Sequence, residues 1–209
     1  MSNGPDPPVM PTDTLDSRGW TLADERTETV FELPTMRVRG VTRRYEDERS
    51  REALEAATEE PVEYPVRFFA VTRLVFEPPL PPGVSLAALR PTLRSEAGST
   101  FADRLADRGL TDISRGRSER VSLADRTRVR LRKYTASDPS APVETELPLE
   151  CWVGVWTDSG AAFVVTAGYP DRSLASLSPL LPAADGLDRS PAAYRAEFLD
   201  VLRETGCLN

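Results

Sequence analysis

The stretch CWVGVWTDSGAAFVVTAGYP, Cys151–Pro170, is the most strongly patterned segment of the chain. It reads as the end of one strand, 143–157, and the whole of a second, 161–168, joined through TDSGA. Gly160 supplies the left-handed position of a three-residue hairpin turn. Val153, Val155 and Val164 supply ordinary core, whereas Trp152 and Trp156 fall on the other face with Gly154 between them. Such a row leaves a notch over the glycine backbone in which a ring, a base or a peptide could lie. The simpler expectation is that a helix covers it, most directly the last one with Tyr194 and Phe198, and that both faces are core. Trp152, Trp156 and the nearby Tyr169 are nevertheless the candidate ligand contacts of this hairpin.

Immediately upstream, DRTRVRLRKY places Arg126, Arg128, Arg130 and Arg132 at every second residue, on one face of a strand 126–134. Residues 113–134 carry eight basic and two acidic side chains. In VETELPLE, Glu144, Glu146 and Glu150 also share a face. Folding the two strands about the loop TASDPSAP sets Arg132 against Glu144, Arg130 against Glu146 and Arg126 against Glu150. The same register sets Leu131 against Thr145 and Val129 against Leu147 on the core side. Cross-strand pairs of this kind contribute roughly 0.2–1 kcal/mol each, so the ladder fixes register more than it stabilises. Arg128 faces Pro148 without a carboxylate, and it and Arg130 are the stripe's candidate contacts for an anion.

Nucleic acid fits poorly. The net charge of −7 repels phosphate, and no aromatic alternates with the arginines to form a stacking platform.

The other elements follow from hydrophobic period and caps. ETVFEL and MRVRGV are two short strands joined through Pro34 and Thr35, with Val30, Met36 and Val38 as core candidates. YEDERSREALEAATEE is a surface helix with a thin apolar face at Ala53, Leu54 and Ala57. The strand 64–76 is apolar on both faces, which suits a central strand covered twice. A helix from near Pro91 to Arg108 carries Leu93, Ala97, Phe101 and Leu105, with Gly109 as its stop. A strand 112–123 leads into the arginine stripe. Leu174, Leu177, Leu180 and Leu181 lie in a looser segment, 170–189. Ser190 caps a last helix with Pro191 at its first position, a stripe of Tyr194, Phe198, Val201 and Leu202, and Gly206 at its end.

The resulting order, ββαβαββββα, has no βαβ alternation. It implies one α+β domain, 19–209, with a mostly antiparallel sheet and about three helices, after a disordered N-terminal tail, 1–18. That order is similar to the α/β/α sandwich of the extrinsic photosystem II protein superfamily, and the resemblance, which lies in element order, implies helices on both faces.

Composition narrows the chemistry. Of 26 basic residues only Lys133 is lysine, 33 residues are acidic, and there is no histidine. An acidic, lysine-poor chain resembles the cytoplasmic proteins of salt-in halophilic archaea, which implies a protein that unfolds as salt is diluted. A GC-rich genome is the competing source of arginine over lysine. No apolar run is long enough to span a bilayer, and the start lacks the features of a secretory signal.

Without histidine, a Ser-His-Asp triad, a Cys-His pair and an HExxH zinc site are excluded. Cys151 and Cys207 read as free thiols and cannot alone build a zinc site. No phosphate-binding or dinucleotide fingerprint is present, so no cofactor is expected. The clusters Glu46–Glu48 and Glu59, Glu60 and Glu63 read as solvated surface.

A non-catalytic binding or interaction module is therefore the first expectation, with a small anionic or aromatic ligand or a protein as partner. A small enzyme using carboxylate, Tyr or Arg chemistry on an organic anion is the second; it requires Arg128 or Arg43 to converge with a buried acid. A structural subunit of a complex is the third; it requires an exposed apolar patch near Leu174–Leu181.

Overall fold

The chain passes through seven strands in the computed structural model, which describes residues 6–34, 36–59, 65–141, 146–158, 160–176 and 187–208. After a short helix α1 (Thr12–Ser17) come β1 (Trp20–Leu33), β2 (Met36–Asp47), helix α2 (Glu48–Thr58), β3 (Phe68–Glu77) and helix α3 (Leu86–Asp107). Then follow β4 (Thr111–Ser122), β5 (Arg128–Asp138), β6 (Leu147–Asp158), β7 (Ala161–Pro170), a 3₁₀ turn (Leu174–Ser176) and helix α4 (Pro191–Leu208). The sheet order is β1-β2-β3-β7-β6-β5-β4, and every neighbouring pair is antiparallel. The protein is an α+β fold with two meanders, β1–β3 and β4–β7, linked by α3.

That link positions the rest. The chain must travel from β3 to β4 on the far edge of the sheet. At about 1.5 Å per residue, the 22 residues of α3 make a helix of about 33 Å, enough to cross the intervening strands. Its stripe of Leu93, Ala97, Phe101 and Leu105 packs, together with Leu54 of α2, on Leu147, Leu149, Cys151, Val153 and Val155. Tyr194, Phe198, Leu199, Val201 and Leu202 of α4 cover the opposite face, which carries Phe69, Val71, Trp152 and Trp156. The sheet is thus covered on both sides, and β3 buries residues on both of its faces.

Several elements differ from the sequence expectation for identifiable reasons. Residues 6–18, expected within a disordered tail, include α1, whose Leu15 is wholly buried along with Met10 in the α4-side core. A lone leucine among prolines is too weak a pattern to reveal this. Helix α3 begins at Leu86 rather than near Pro91, because Ser85 caps it by accepting from the Ala88 N–H at 3.3 Å. Helix α4 starts as expected, with Ser190 Oγ accepting from the Ala193 N–H at 3.2 Å, but it runs to Leu208 past Gly206. Gly160 does take the left-handed conformation, φ 83°, yet Asp158 pairs with Ala161, so the turn holds two residues and not three. Leu174 is buried, whereas Leu177, Leu180 and Leu181 lie outside the described residues.

The largest difference is the register of β5 on β6. Arg130 lies opposite Val155 and Arg132 opposite Val153, so the expected arginine–glutamate ladder does not form. Glu144 falls outside the described residues, and Glu150 lies opposite Thr135. The reversal occurs later than polarity suggests. Tyr134, Ala136 and Asp138 alternate inward and extend β5, and Asp138 then starts the turn by accepting from Ser140 N and Oγ at 2.8 and 2.6 Å. This register shift moves the arginine stripe to the face that carries α3, because directly opposed residues share a face.

Candidate functional site

Val129 and Leu131, displaced by that register, point to the tryptophan side. There they fill the notch anticipated over Gly154: a Cβ on Gly154 would stand 2.6 Å from Leu131 Cδ2 and 2.9 Å from Val129 Cγ1. Trp152 and Trp156 are 1% exposed, and Trp156 stacks on Phe163 with centroids 5.1 Å apart. Tyr169 is equally enclosed; its hydroxyl donates to Glu150 at 2.5 Å and accepts from Trp152 Nε1 at 2.8 Å. As ligand contacts, Trp152, Trp156 and Tyr169 are therefore corrected to core. The last helix covers them, as the simpler expectation held.

Around Tyr169 lies a buried polar cluster. Lys133, the single lysine, pairs with Glu150, which also accepts from Trp152 Nε1 at 2.9 Å. Burial would raise the Glu150 carboxyl, but the Lys133 ammonium and the Tyr169 and Trp152 donors overcome this and hold it below its usual value. A depressed carboxyl contributes stability above its unfolded-state pKa and loses it as pH falls through the folded one. Lys133→Met is expected to move acid unfolding, followed by near-ultraviolet circular dichroism, to higher pH. An acid transition identical to that of the parent would show that the pair contributes nothing. On the α3 side of the sheet, burial pushes the Cys151 thiol up to about 12.

The arginine stripe builds a different feature. Between α3 and the β4–β6 end of the sheet lies a cavity of about 380 Å³. Here the sheet offers α3 no large apolar filler. Arg115 and Ser118 come from β4, Arg130 and Arg132 from β5, and Arg94 and Ser95 from α3. Val153, Gly154 and Val155 form the floor, and Tyr134 stands at its side. Tyr134 donates to the Gly98 carbonyl at 3.0 Å, which ties α3 to β5.

Charge in this cleft is unbalanced. Among the described residues none of the four arginines forms an ion pair, and no carboxylate lines the cavity. Arg132 donates to the Gly116 carbonyl at 2.9 Å; Arg94 Nε and Ser118 Oγ are buried without a partner among the described residues. Burial and the charges of Arg90, Arg130 and Arg120 push the Arg94 guanidinium below its ordinary value. Burial, Arg115 and Arg130 do the same to Arg132. Both remain cations at any ordinary pH.

The other flank of α3, over β1–β3, provides the comparison. Arg26, Arg44, Arg104 and Arg108 gather there too; Glu28 stands 2.6 Å from Arg104 and 3.3 Å from Arg26, and Glu46 stands 2.9 Å from Arg44, while Arg108 lies over the Phe68 ring without an ion pair among the described residues. Only about 60 Å³ of space remains on that side.

Of the residues singled out by sequence, Arg130 lines the cleft, whereas Arg128, opposite Ser122, lies on the exposed continuation of the stripe outside it. Arg43 pairs with Glu25 at 2.7 Å on the surface and meets no buried acid. Asp47 caps α2 and binds Arg67, Glu46 pairs with Arg44 and Glu48 with Arg51, while Glu60 and Glu63 lie outside the described residues. Arg94 escaped sequence reading because only the crossing of α3 brings it to the stripe, whereas Arg115 and Ser118 arrive with β4, whose pairing with β5 sets Arg115 opposite Tyr134 and Ser118 opposite Arg132. The small residues Ser95 and Gly98, flanking the Leu93–Ala97–Phe101 stripe, were the available signal of an unfilled helix flank.

Among the described residues no helix is long and apolar enough to cross a membrane. No curated protein sequence matches the chain. Among solved structures the chain is similar to the Saccharomyces cerevisiae Ran-binding protein Mog1p, with 12% identity, coverage of 90% of this chain and 95% of that chain, and a TM-score of 0.39. The pattern of a sequence family matches residues 7–206, nearly the whole chain, and the protein accordingly belongs to the family described as domain of unknown function (DUF6517).

Proposed function

We propose that this protein is a non-catalytic binding module for an anionic ligand, held in the arginine cleft between α3 and β4–β6. One observation carries the reading. Arg94, Arg115, Arg130 and Arg132 converge without a carboxylate among the described residues, in a chain with a net charge of −7. An acidic protein has ample carboxylates to neutralise such a cluster, as Glu28 and Glu46 do for three of the four arginines across α3. Uncompensated guanidiniums repel one another, and a bound anion relieves that repulsion while filling their planar donor forks. The lining supplies guanidiniums, hydroxyls and a phenol but no general base, which favours holding over turnover. The composition supports a cytoplasmic setting rich in salt.

Isothermal titration with pyrophosphate tests the reading. Arg130→Glu and Arg132→Glu are expected to weaken binding at least tenfold. Arg203→Glu on α4, which makes the same change in net charge on the opposite side of the sheet, is expected to leave it within twofold. Equal losses from all three variants, or no binding by the parent protein, would sink the proposal.

A further inference from the structure

Resting on that reading, we infer that the ligand is a small organic molecule carrying two adjacent anionic groups, of diphosphate type, on an apolar body that lies along the Val153–Val155 floor. The cavity itself argues for both halves. Its volume, about 380 Å³, is more than ten times the share of a water molecule and falls in the range of small-molecule sites. A single inorganic anion would leave most of it to water.

The lining is also graded. Arg115 and Arg130 are exposed at the rim, Arg94 and Arg132 are half-buried, and Val153 and Val155 are buried at the base. Four cations around one opening exceed what one monoanion can neutralise, whereas two adjacent phosphoryl groups present enough oxygens for several forks. Donors already stand ready, since Arg94 Nε–H and Ser118 Oγ–H are buried in this cleft without a partner among the described residues. Below them the floor has no polar side chain. A hydrated ion would leave that apolar surface wet, and an apolar body would dry it.

An extended acidic peptide fits less well. The space is bounded by α3 on one side and by three strands on the other, so it suits a compact ligand better than a chain passing through.

The test is a matched series on the full-length protein at fixed salt: inorganic phosphate, pyrophosphate, hexyl diphosphate, hexanol and a hexaglutamate peptide. Pyrophosphate is expected to bind at least tenfold tighter than phosphate. Hexyl diphosphate is expected to bind at least a further tenfold tighter, a gain that about two buried methylenes suffice to give. Val153→Thr, which keeps the shape of the floor and wets it, should reduce the ratio of hexyl diphosphate to pyrophosphate affinity at least threefold.

Equal affinities for pyrophosphate and hexyl diphosphate would overturn the apolar body while leaving an anion site in place. Equal affinities for phosphate and pyrophosphate would overturn the paired anion. Hexaglutamate binding tighter than hexyl diphosphate would overturn the small molecule in favour of a protein partner. No binding by any anion would overturn the site itself.

Discussion

Replacing Arg67 with alanine is expected to cost about 3–5 kcal/mol of folding stability, read from denaturant unfolding. Arg67 is 1% exposed and forms the centre of a buried network. Its guanidinium lies 2.5 Å from Asp47 and 3.4 Å from Glu197, and 4.7 and 4.4 Å from the Trp20 and Tyr194 ring centroids. Asp47 is also the cap of α2, where it accepts from the Ser50 N–H at 3.2 Å, and Glu197 accepts from Trp20 Nε1 at 2.7 Å. One side chain therefore joins the start of α2, the start of β1 and the middle of α4. Truncation leaves Asp47 facing a low-dielectric interior without its cation and Glu197 with Arg189 as its remaining cation, a costly way to break such a network. Arg67→Lys keeps the charge but loses the planar stacking between two rings, so it is expected to recover only part of the loss. Full stability in Arg67→Ala would mean that solvent reaches this network.

Trp156→Ala is expected to cost about 3–5 kcal/mol as well, because the indole is buried under α4 and stacked on Phe163. Its Nε1 has no hydrogen-bond partner among the described residues, so Trp156→Phe should cost less than Trp152→Phe, which also removes the bonds to Glu150 and Tyr169. Pyrophosphate affinity, measured below the unfolding transition, should be unchanged in Trp156→Phe. The tryptophans lie with α4 on one face of the sheet and the cleft lies under α3 on the other. A weakened site in Trp156→Phe with intact stability would return the hairpin to candidacy as a ligand surface.

Much of the architecture is legible in the residues. The order ββαβαββββα appears as observed, with α1 added, because strand alternation, the Leu93–Leu105 stripe and the Ser190–Pro191 cap are local signals. The covering of Trp152 and Trp156 was readable from Tyr194 and Phe198 of the same chain.

The site was not legible in the same way. Its stripe was visible, but its face depended on register, and a charge ladder that satisfied both strands on paper was the wrong criterion. Asp138, with its bonds to Ser140, set the turn instead. Because side chains alternate along a strand, that choice decided whether Arg130 and Arg132 met solvent-side glutamates or the underside of α3. Arg94 belongs to α3, an element that is not the sequence neighbour of β5, and Arg115 reaches the cleft through the β4–β5 pairing, so no periodicity of the stripe itself relates either residue to it. Position in the tertiary structure, not residue pattern, made the cleft.

The most direct measurement is a crystal structure of the protein grown with pyrophosphate. Two phosphoryl groups between α3 and β5, with guanidinium nitrogens of Arg94, Arg130 and Arg132 about 2.7–2.9 Å from their oxygens, are the expected result. Pyrophosphate bound only elsewhere, or a cleft neutralised by the protein's own carboxylates and empty of anion, would contradict the account.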